Sequence, residues 1–146
     1  MKNQTTLAST APIGGFVLRI VLVAFWVVHW WFKVGFHGMP ATEAFFTSLG
    51  LPTWLAWFDI SYEVVIAAML LTGTFTWFAV ITSLPILIAS MIIYGHQGFY
   101  FPTGGIELPI LWALMQIVLG LIGPGAYALK LPEWTNWPMR WLELRS

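Results

Sequence analysis

Two basic side chains interrupt one of the most apolar stretches of the sequence, which reads FWVVHWWFKV. They are His29 and Lys33, four residues apart, so on an α-helix they lie on the same face. A second apolar stretch, at 53–72, carries two acids with the same spacing, Asp59 and Glu63. Imidazole, ammonium and carboxylate groups can form ion pairs, hold protons and donate or accept hydrogen bonds. The chemistry these residues predict is that of an acid–base site between two helices.

The composition identifies the kind of protein that must position these side chains. Hydrophobic residues make up 59% of the 146 residues and charged residues only 8%, whereas a soluble domain has about 25% charged residues. Ten Trp and a mean hydropathy of +0.81 indicate a polytopic membrane protein. The absence of cysteine excludes disulfides, thiol nucleophiles and Cys-ligated metal clusters. The net charge is zero, so we expect no nucleic-acid partner.

Four apolar stretches are each about 17–25 residues long, enough to cross roughly 30 Å of hydrocarbon. They lie at 14–35, 53–72, 76–95 and 106–128. The sequence Gly-Pro-Gly at 123–125 should bend or end the last of them. The sequence therefore predicts an all-α fold, a four-helix transmembrane bundle with short interfacial helices, formed as a single domain over 1–146.

Two shorter segments are predicted to lie as helices at the membrane surface. The first, at 40–50, reads PATEAFFTSLG and offers Thr42 as an N-cap and Gly50 as a stop. The second, at 132–146, reads PEWTNWPMRWLELRS and mixes Trp with Arg, a combination typical of the headgroup layer.

The distribution of basic residues predicts how the bundle is oriented. Four of them flank the ends of the chain, namely Lys2, Lys130, Arg140 and Arg145. Lys33 stands alone towards the other side of the bundle. The positive-inside rule then places both termini in the cytoplasm of a multi-pass protein of the cell (inner) membrane, with the lipid bilayer as its first partner.

Charged residues should gather in the outer half of this bundle. Lys33, His96 and Glu107 fall at the outer boundary of their stretches. His29 and Asp59 lie about 7–9 Å further in, at 1.5 Å per residue. Because ionisable groups inside a membrane normally face the bundle interior, we expect the bases on the first and third stretches to contact the acids on the second and fourth.

Arg19 and Glu63 complete this set at greater depth. Glu63 is about 15 Å from the outer boundary, near the midplane, and Arg19 approaches from the cytoplasmic side, so the two are expected to pair at the floor of an outward-opening polar pocket. The predicted site residues are Arg19, His29, Lys33, Asp59, Glu63, His96 and Glu107.

Five ordered motifs in the chain are similar to those of a known family. They read LRIVLVAFWVVHWWFK, FFTSLGLP, YEVVIAAMLLTGTFT, GHQGFYFPTGGIELPIL and GPGAYAL. In this order, over almost the whole chain, they resemble the DoxX family of small four-span integral membrane proteins. The chain departs from the family pattern at Trp30, where Gly is common, at Trp77, where a basic residue is common, and at 128–130, where Ser-Leu-Asp is common.

The resemblance implies a role beside an oxidoreductase. The family is named for a subunit associated with a thiosulfate:quinone oxidoreductase and terminal quinol oxidase system. By resemblance, we expect an accessory membrane subunit of a redox or respiratory-type complex, with other membrane subunits as partners and a quinone or protons in its polar pocket. Catalysis by the chain alone is not implied.

Two interpretations of the charged residues remain open. A quinone head group needs hydrogen-bond donors at its two carbonyls and carriers for its protons. The residues that meet these needs are His29, Asp59, Glu63 and His96, with Trp26, Trp30, Trp57 and Phe58 as stacking walls. Alternatively, the charges only neutralise one another and fix helix register, in which case the chain is a purely structural scaffold or assembly subunit.

Metal and haem ligation are the weaker alternatives. His29 and His96 could serve as two axial haem ligands, but the family pattern is not that of a cytochrome. His29, His37 and His96 could gather around a metal ion, although a loop histidine such as His37 is more often simply solvated. We therefore expect no intrinsic cofactor and no metal site.

Overall fold

The computed structural model describes the backbone of residues 2–129 and the side chains of residues 10–129. Its α-helices are α1 (Lys2–Trp31), α2 (Met39–Ser48), α3 (Thr53–Thr72), α4 (Thr76–Tyr94) and α5 (Glu107–Ile122). A π-helical turn follows α1 at Phe32–Phe36, and two 3-10 turns lie at Gly95–Gln97 and Phe101–Thr103. No strand occurs between residues 2 and 129, which confirms the predicted all-α class. The interfacial helix predicted at 132–146 lies outside the described residues.

The helices form a bundle around a narrow apolar core. α1 packs against α3 and α5, and α4 packs against α5 and α3, while α2 lies across the end of α3. The core side chains include Leu22, Trp26, Ile66, Leu70 and Leu119, all fully buried. Along α1 and the π-helical turn that follows it, five residues occur at steps of three or four and form a single stripe that faces the other helices: Arg19, Leu22, Trp26, His29 and Lys33.

The outward faces of the bundle are apolar as well. Val28 is 66% exposed, Ile92 76% and Leu121 63%. A soluble monomer rarely exposes apolar surface of this extent, whereas a lipid environment requires it. Three helical segments are long and apolar enough to cross a membrane, namely Thr10–Phe36, Thr53–Thr72 and Thr76–Gln97. The described part of the chain therefore has the surface and the dimensions of an integral membrane protein.

The fourth predicted span is shorter than the sequence suggested. α5 has 16 residues, or about 24 Å at 1.5 Å per residue, and so falls short of the roughly 20 residues of a typical span. It ends at Ile122. The next residue, Gly123, is the first of the predicted Gly-Pro-Gly breaker, and its φ of 82° and ψ of −179° are far from helical values. The chain then turns back over α1, where the Ala126 amide donates a 2.7 Å hydrogen bond to Pro12 O.

The predicted helix at 40–50 is present as α2, but its start differs. Gly38 is the N-cap residue, with φ 79° and ψ 158° that favour glycine, and Pro40 occupies the first turn. Thr42 is buried inside the helix, and its hydroxyl donates towards Lys33 O at 3.0 Å and Gly38 O at 3.2 Å. The N-cap prediction for Thr42 was wrong. The hydroxyl of this residue instead connects α2 to the π-helical turn through its hydrogen bond to Lys33 O.

The Arg19 side chain connects α1 by hydrogen bonds to the last turn of α3 and to the segment that follows α5. Its guanidinium is 1% exposed and donates to Leu70 O at 3.2 Å, to Leu71 O at 3.3 Å and to Ala126 O at 3.1 Å. Leu70 and Leu71 lie in the last turn of α3, where helical carbonyls have no partner within the helix and where the helix dipole is negative. A planar, permanently charged guanidinium suits this position, because its several N–H groups can donate to several carbonyls at once.

Gly73 makes room for this guanidinium. It follows the last residue of α3 with φ +72°, and a Cβ at this position would collide with Arg19 Nη1 and with Ala128. Gly50 has nearly the same φ, +74°, but no heavy atom lies within 4 Å of where its Cβ would be. The two glycines therefore share a backbone requirement and differ in their surroundings.

We predict that Gly73→Ala destabilises the protein more than Gly50→Ala. The left-handed backbone alone should cost about 1–2 kcal/mol at either position, and the displaced guanidinium should add about 1–3 kcal/mol at Gly73. Unfolding of both variants in detergent micelles, followed by circular dichroism, measures the difference. Equal losses in the two variants would show that the Arg19 contact contributes nothing to stability.

Candidate functional site

Four of the charged side chains meet between α1 and α3. Lys33 Nζ lies 2.5 Å from Asp59 Oδ2 and 2.7 Å from Glu63 Oε1. His29 Nδ1 lies 2.7 Å from the same Glu63 oxygen. We refer to His29, Lys33, Asp59 and Glu63 as the ionic cluster. The predicted contact between the basic face of the first span and the two acids of the second is therefore present.

The ionic cluster depends on antiparallel packing of two helices with matched spacing. His29 at the end of α1 and Lys33 in the following π-helical turn lie one turn apart, and Asp59 and Glu63 lie one turn apart near the start of α3. Lys33 belongs to the π-helical turn, a local feature often found at functional sites. Gly35 permits this turn to sit close to Trp31, since a Cβ there would approach the indole ring to 2.7 Å.

Burial is graded across the cluster. The Glu63 side chain is completely buried, those of Asp59 and Lys33 are 12% and 19% exposed, and that of His29 is 34% exposed. A buried carboxylate is stable only when cations and hydrogen bonds replace its lost hydration. Lys33 and His29 supply this replacement for Glu63, and they also form the accessible side of the site.

Both basic residues retain a polar group that the cluster does not use. An ammonium has three N–H donors, and two of those on Lys33 are directed to Asp59 and Glu63. An imidazole has two ring nitrogens, and only Nδ1 of His29 contacts Glu63. The cluster can therefore present one ammonium N–H and one imidazole nitrogen to a ligand while all its charges remain paired.

Two cavities reach the exposed side of the cluster. The first encloses about 350 Å³ between α2, α3 and α4, and His29, Lys33 and Asp59 are among the residues that line it. We call it the α2–α4 cavity. Its walls are mainly aromatic and aliphatic, formed by Phe45, Phe46, Leu55, Phe58, Tyr62, Ile86, Ala89, Ile93 and Tyr94. The second, of about 330 Å³, lies between the end of α1 and α2 and shares His29 and Lys33 with the first.

Three of the predicted site residues lie outside the cluster. Arg19 binds carbonyls at the opposite end of α3, so the predicted Arg19–Glu63 pair was wrong: its partners Leu70 and Leu71 come seven and eight residues after Glu63, about 10–12 Å further along that helix. His96 is exposed in a 3-10 turn, and its Nδ1 contacts Ile93 O at 2.8 Å. The placement of His96 in the pocket was therefore also wrong.

Glu107 is the third predicted residue that does not join the site. It is exposed at the start of α5, and its Oε2 accepts a 2.9 Å hydrogen bond from the Phe101 amide. Its position at the positive end of a helix, capping the loop before it, accounts for an acid there. The prediction that Glu107 contacts the bases of the first span was wrong, because its hydrogen-bond partner is a backbone amide in the loop at 98–106.

The histidines considered as metal ligands are dispersed. His37 is exposed beside Phe32 and Phe36, whose rings it meets edge-on at 4.4 and 5.1 Å. His29 is bound to Glu63, and His96 lies on the loop after α4. Between residues 10 and 129, no group of three or more His, Asp or Glu side chains is arranged to hold a metal ion.

Of the four aromatic residues predicted as stacking walls, only Phe58 lines the α2–α4 cavity. Trp57 is exposed, and its Nε1 donates to Glu43 Oε1 at 2.6 Å. Trp26 and Trp30 line a separate apolar cavity of about 260 Å³ on another side of Glu63. Phe45 and Tyr94 line the α2–α4 cavity and were not among the predicted site residues. The available signal was the spacing of Phe45, Phe46 and Leu49 on one side of α2.

The DoxX family model matches residues 14–97, more than half of the chain. The chain belongs to the DoxX family. The match covers the segments that contain the ionic cluster and the α2–α4 cavity, and it ends before α5. No curated protein and no solved structure matches this DoxX protein. The family resemblance suggested by the ordered sequence motifs is thus confirmed.

We predict that Glu63→Gln strongly destabilises this DoxX protein. The substitution leaves Lys33 with Asp59 alone and removes the carboxylate partner of His29, and breaking a buried ion pair from one side costs about 3–5 kcal/mol. Unfolding by a denaturing detergent, monitored by circular dichroism, measures the loss.

Glu107→Gln is the matched control for this experiment. It makes the same chemical change at an exposed position with one backbone partner, where a loss below about 1 kcal/mol is expected. Similar losses for the two variants would mean that Glu63 has no special part in holding the helices together.

Proposed function

We propose that this DoxX protein is an accessory integral-membrane subunit of a redox complex and that it binds a quinone head group in the α2–α4 cavity. The observation that carries the proposal is that three residues of the ionic cluster, His29, Lys33 and Asp59, line a cavity whose other walls are mainly apolar. A volume of about 350 Å³ lies at the lower end of the range of small-molecule sites. Such a cavity suits a compact, flat head group that accepts hydrogen bonds.

The hydrogen-bonding groups that line the cavity match the needs of a quinone. Its two carbonyl oxygens accept hydrogen bonds, and Lys33 and His29 each have a group left over to face the cavity. Asp59 also lines the cavity and can exchange a proton with Lys33, to which it is bonded. A bound quinone supplies the electron-accepting chemistry; the residues of this chain orient it and hold protons beside it.

The apolar walls suit the rest of such a molecule. Phe58 and Tyr62 are stacked at a ring-centroid distance of 5.7 Å on α3, and Phe45 and Tyr94 are stacked at 6.4 Å between α2 and α4. Aromatic faces of this kind favour a planar ring over a flexible polar ligand. Two of the helices that form the cavity, α3 and α4, are long enough to span a membrane, so we propose that the ligand enters from the lipid phase.

For the orientation, we propose that α2 lies on the exoplasmic side and the chain termini on the cytoplasmic side. Support comes from the positions of the basic residues in the sequence. Three of the four that determine it, Lys130, Arg140 and Arg145, lie outside the described residues. With this orientation the proposed quinone site opens into the outer half of the bilayer.

The second candidate function is a scaffold without a ligand of its own. It is favoured by one feature of the cluster: each acid already has a basic partner within the chain. In that case the ion pairs would only fix the register of α1 against α3, and the exposed aromatic surface would serve assembly with other membrane subunits.

Filling the cavity separates the two functions. We predict that Ala89→Phe, at the cavity wall, weakens binding of a short-chain benzoquinone or naphthoquinone by more than about tenfold, because an overpacked site costs at least 1–2 kcal/mol. Quenching of tryptophan fluorescence in lipid nanodiscs measures the affinity.

The control for this test is Ala68→Phe, the same change at an exposed position on α3 that lines none of the cavities described above. It should bind quinone as the original protein does. No saturable binding by the original protein, or equal binding by the two variants, would refute the quinone site and leave the scaffold function.

A further inference from the structure

The loop at 98–106, which connects α4 to α5, exposes three consecutive aromatic side chains. Phe99 is 52% exposed, Tyr100 69% and Phe101 58%. Exposed loops in water are usually built from small and polar residues, because an aromatic ring left in water forgoes the free energy of burial. These three rings therefore favour an apolar surrounding over bulk water.

The same loop is closed by its own backbone hydrogen bonds. Ile106 N donates to Gly98 O at 3.2 Å, and Glu107 N donates to Phe99 O at 2.9 Å, so the two ends of the loop are paired. Between them, the amides of residues 103–105 donate to carbonyls within the loop at 2.8–3.2 Å. Of the amides of residues 98–106, all but two have a partner in the described part of the chain. Irregular backbone can approach a hydrocarbon layer only when its polar groups are satisfied in this way.

The packing of α5 against α4 sets the depth of this loop. A Cβ on Gly120 would lie 3.2 Å from Val80 Cγ1, so these two positions face each other where the end of α5 meets the start of α4. Counted by equal numbers of residues from this contact, Glu107 at the start of α5 is level with Ile93 on α4. The apolar segment Thr76–Gln97 continues past that level by about 6 Å. The loop therefore lies beside the last turn of a segment that can span a membrane.

This depth matches the length that α5 lacks. With 16 residues, α5 is about 24 Å long, roughly 6 Å less than the hydrocarbon core of a bilayer. A closed loop with satisfied backbone groups and an aromatic exterior can occupy the remaining thickness, whereas an open loop would expose its amides there. Amphipathic aromatic rings such as that of Tyr100 are enriched at the level where hydrocarbon meets the headgroups.

We propose that the loop at 98–106 is embedded in the membrane interface and, together with α5, completes a fourth crossing. Phe99, Tyr100 and Phe101 contact lipid, so the partner of this surface is the bilayer and not another protein subunit. The placement is independent of any ligand in the α2–α4 cavity, because no residue between 98 and 106 lines that cavity.

Site-directed spin labelling tests this placement, because the chain contains no cysteine. A nitroxide is attached to Tyr100→Cys in phosphatidylcholine nanodiscs that hold only the purified protein. Its collisions are measured with oxygen, which concentrates in lipid, and with a neutral nickel chelate, which concentrates in water. The ratio of oxygen to chelate accessibility should exceed that of the same label on free cysteine in buffer by at least about threefold, which corresponds to about 0.7 kcal/mol in the partitioning of the chelate.

Two further sites make the measurement decisive. Ile88→Cys, at a 51% exposed position on α4, is the reference for a label in hydrocarbon and should give a higher ratio than position 100. Phe101→Cys repeats the test in case Tyr100→Cys does not fold. Ratios at 100 and 101 equal to that of the label in buffer would overturn the proposal, since the rings would then face water and be available to a protein partner.

Gly105→Ala tests whether the closed loop holds the rings at this depth. A Cβ there would lie 2.5 Å from Gly98 O and 2.6 Å from Phe99 O, so the loop should open and the ratio at position 100 should fall towards that of the label in buffer. Gly95→Ala is the matched control, because its Cβ would meet no heavy atom within 4 Å and its φ is −57°. It should leave the ratio unchanged. An unchanged ratio in Gly105→Ala as well would disprove the role of the closed loop.

Discussion

The structure depends on one buried carboxylate. Glu63 is fully enclosed in a helix bundle whose outer surface is itself apolar, so neither water nor solvent ions can neutralise it from outside. Removing a charge from water costs several kcal/mol, and the cost is recovered only through close cations and hydrogen bonds. Lys33 and His29 provide both through the same carboxylate oxygen. This requirement fixes the register of α1 against α3, because a slip of one residue would carry both bases about 1.5 Å along the axis and rotate them away from the acid.

A second polar anchor holds the same two helices at their opposite ends. Arg19 binds the last carbonyls of α3, whereas Lys33 binds the acids near its start. Lys33 follows Arg19 by 14 positions, or about 21 Å along the helix axis, and the side chains between them on the same stripe include fully buried Leu22 and Trp26. The α1–α3 contact therefore has ion pairs at one end, hydrogen bonds from a cation to carbonyls at the other, and apolar side chains between them. The arrangement leaves the α2 end open enough for the two cavities, while the Arg19 end is closed by residues 123–129.

The part of the chain that matches the DoxX family contains the ionic cluster and the α2–α4 cavity, and α5 lies outside it. α5 contributes in a different way, since the ring of Trp112 lies 5.4 Å from that of His29 and 4.5 Å from that of Trp26. Glu63, which is completely buried, does not line the α2–α4 cavity, whereas His29, Lys33 and Asp59 do. The charged groups that reach the cavity are therefore the partially exposed members of the cluster.

The sequence by itself determined the helical class, the membrane location and the pairing of His29 and Lys33 with Asp59 and Glu63. These follow from composition, from hydrophobic length and from the i, i+4 spacing of charges, all of which are local properties. Only the tertiary structure decided the partners of Arg19, His96 and Glu107, because each found backbone groups that no side-chain pattern reveals. It also decided that α2 forms a cavity wall, since this depends on how the chain turns at Gly38. The end of α5 at the Gly-Pro-Gly sequence, by contrast, was predicted from the sequence. Charge spacing identifies which side chains can pair, but a carbonyl at a helix end or a loop amide becomes a partner only when the fold brings it there.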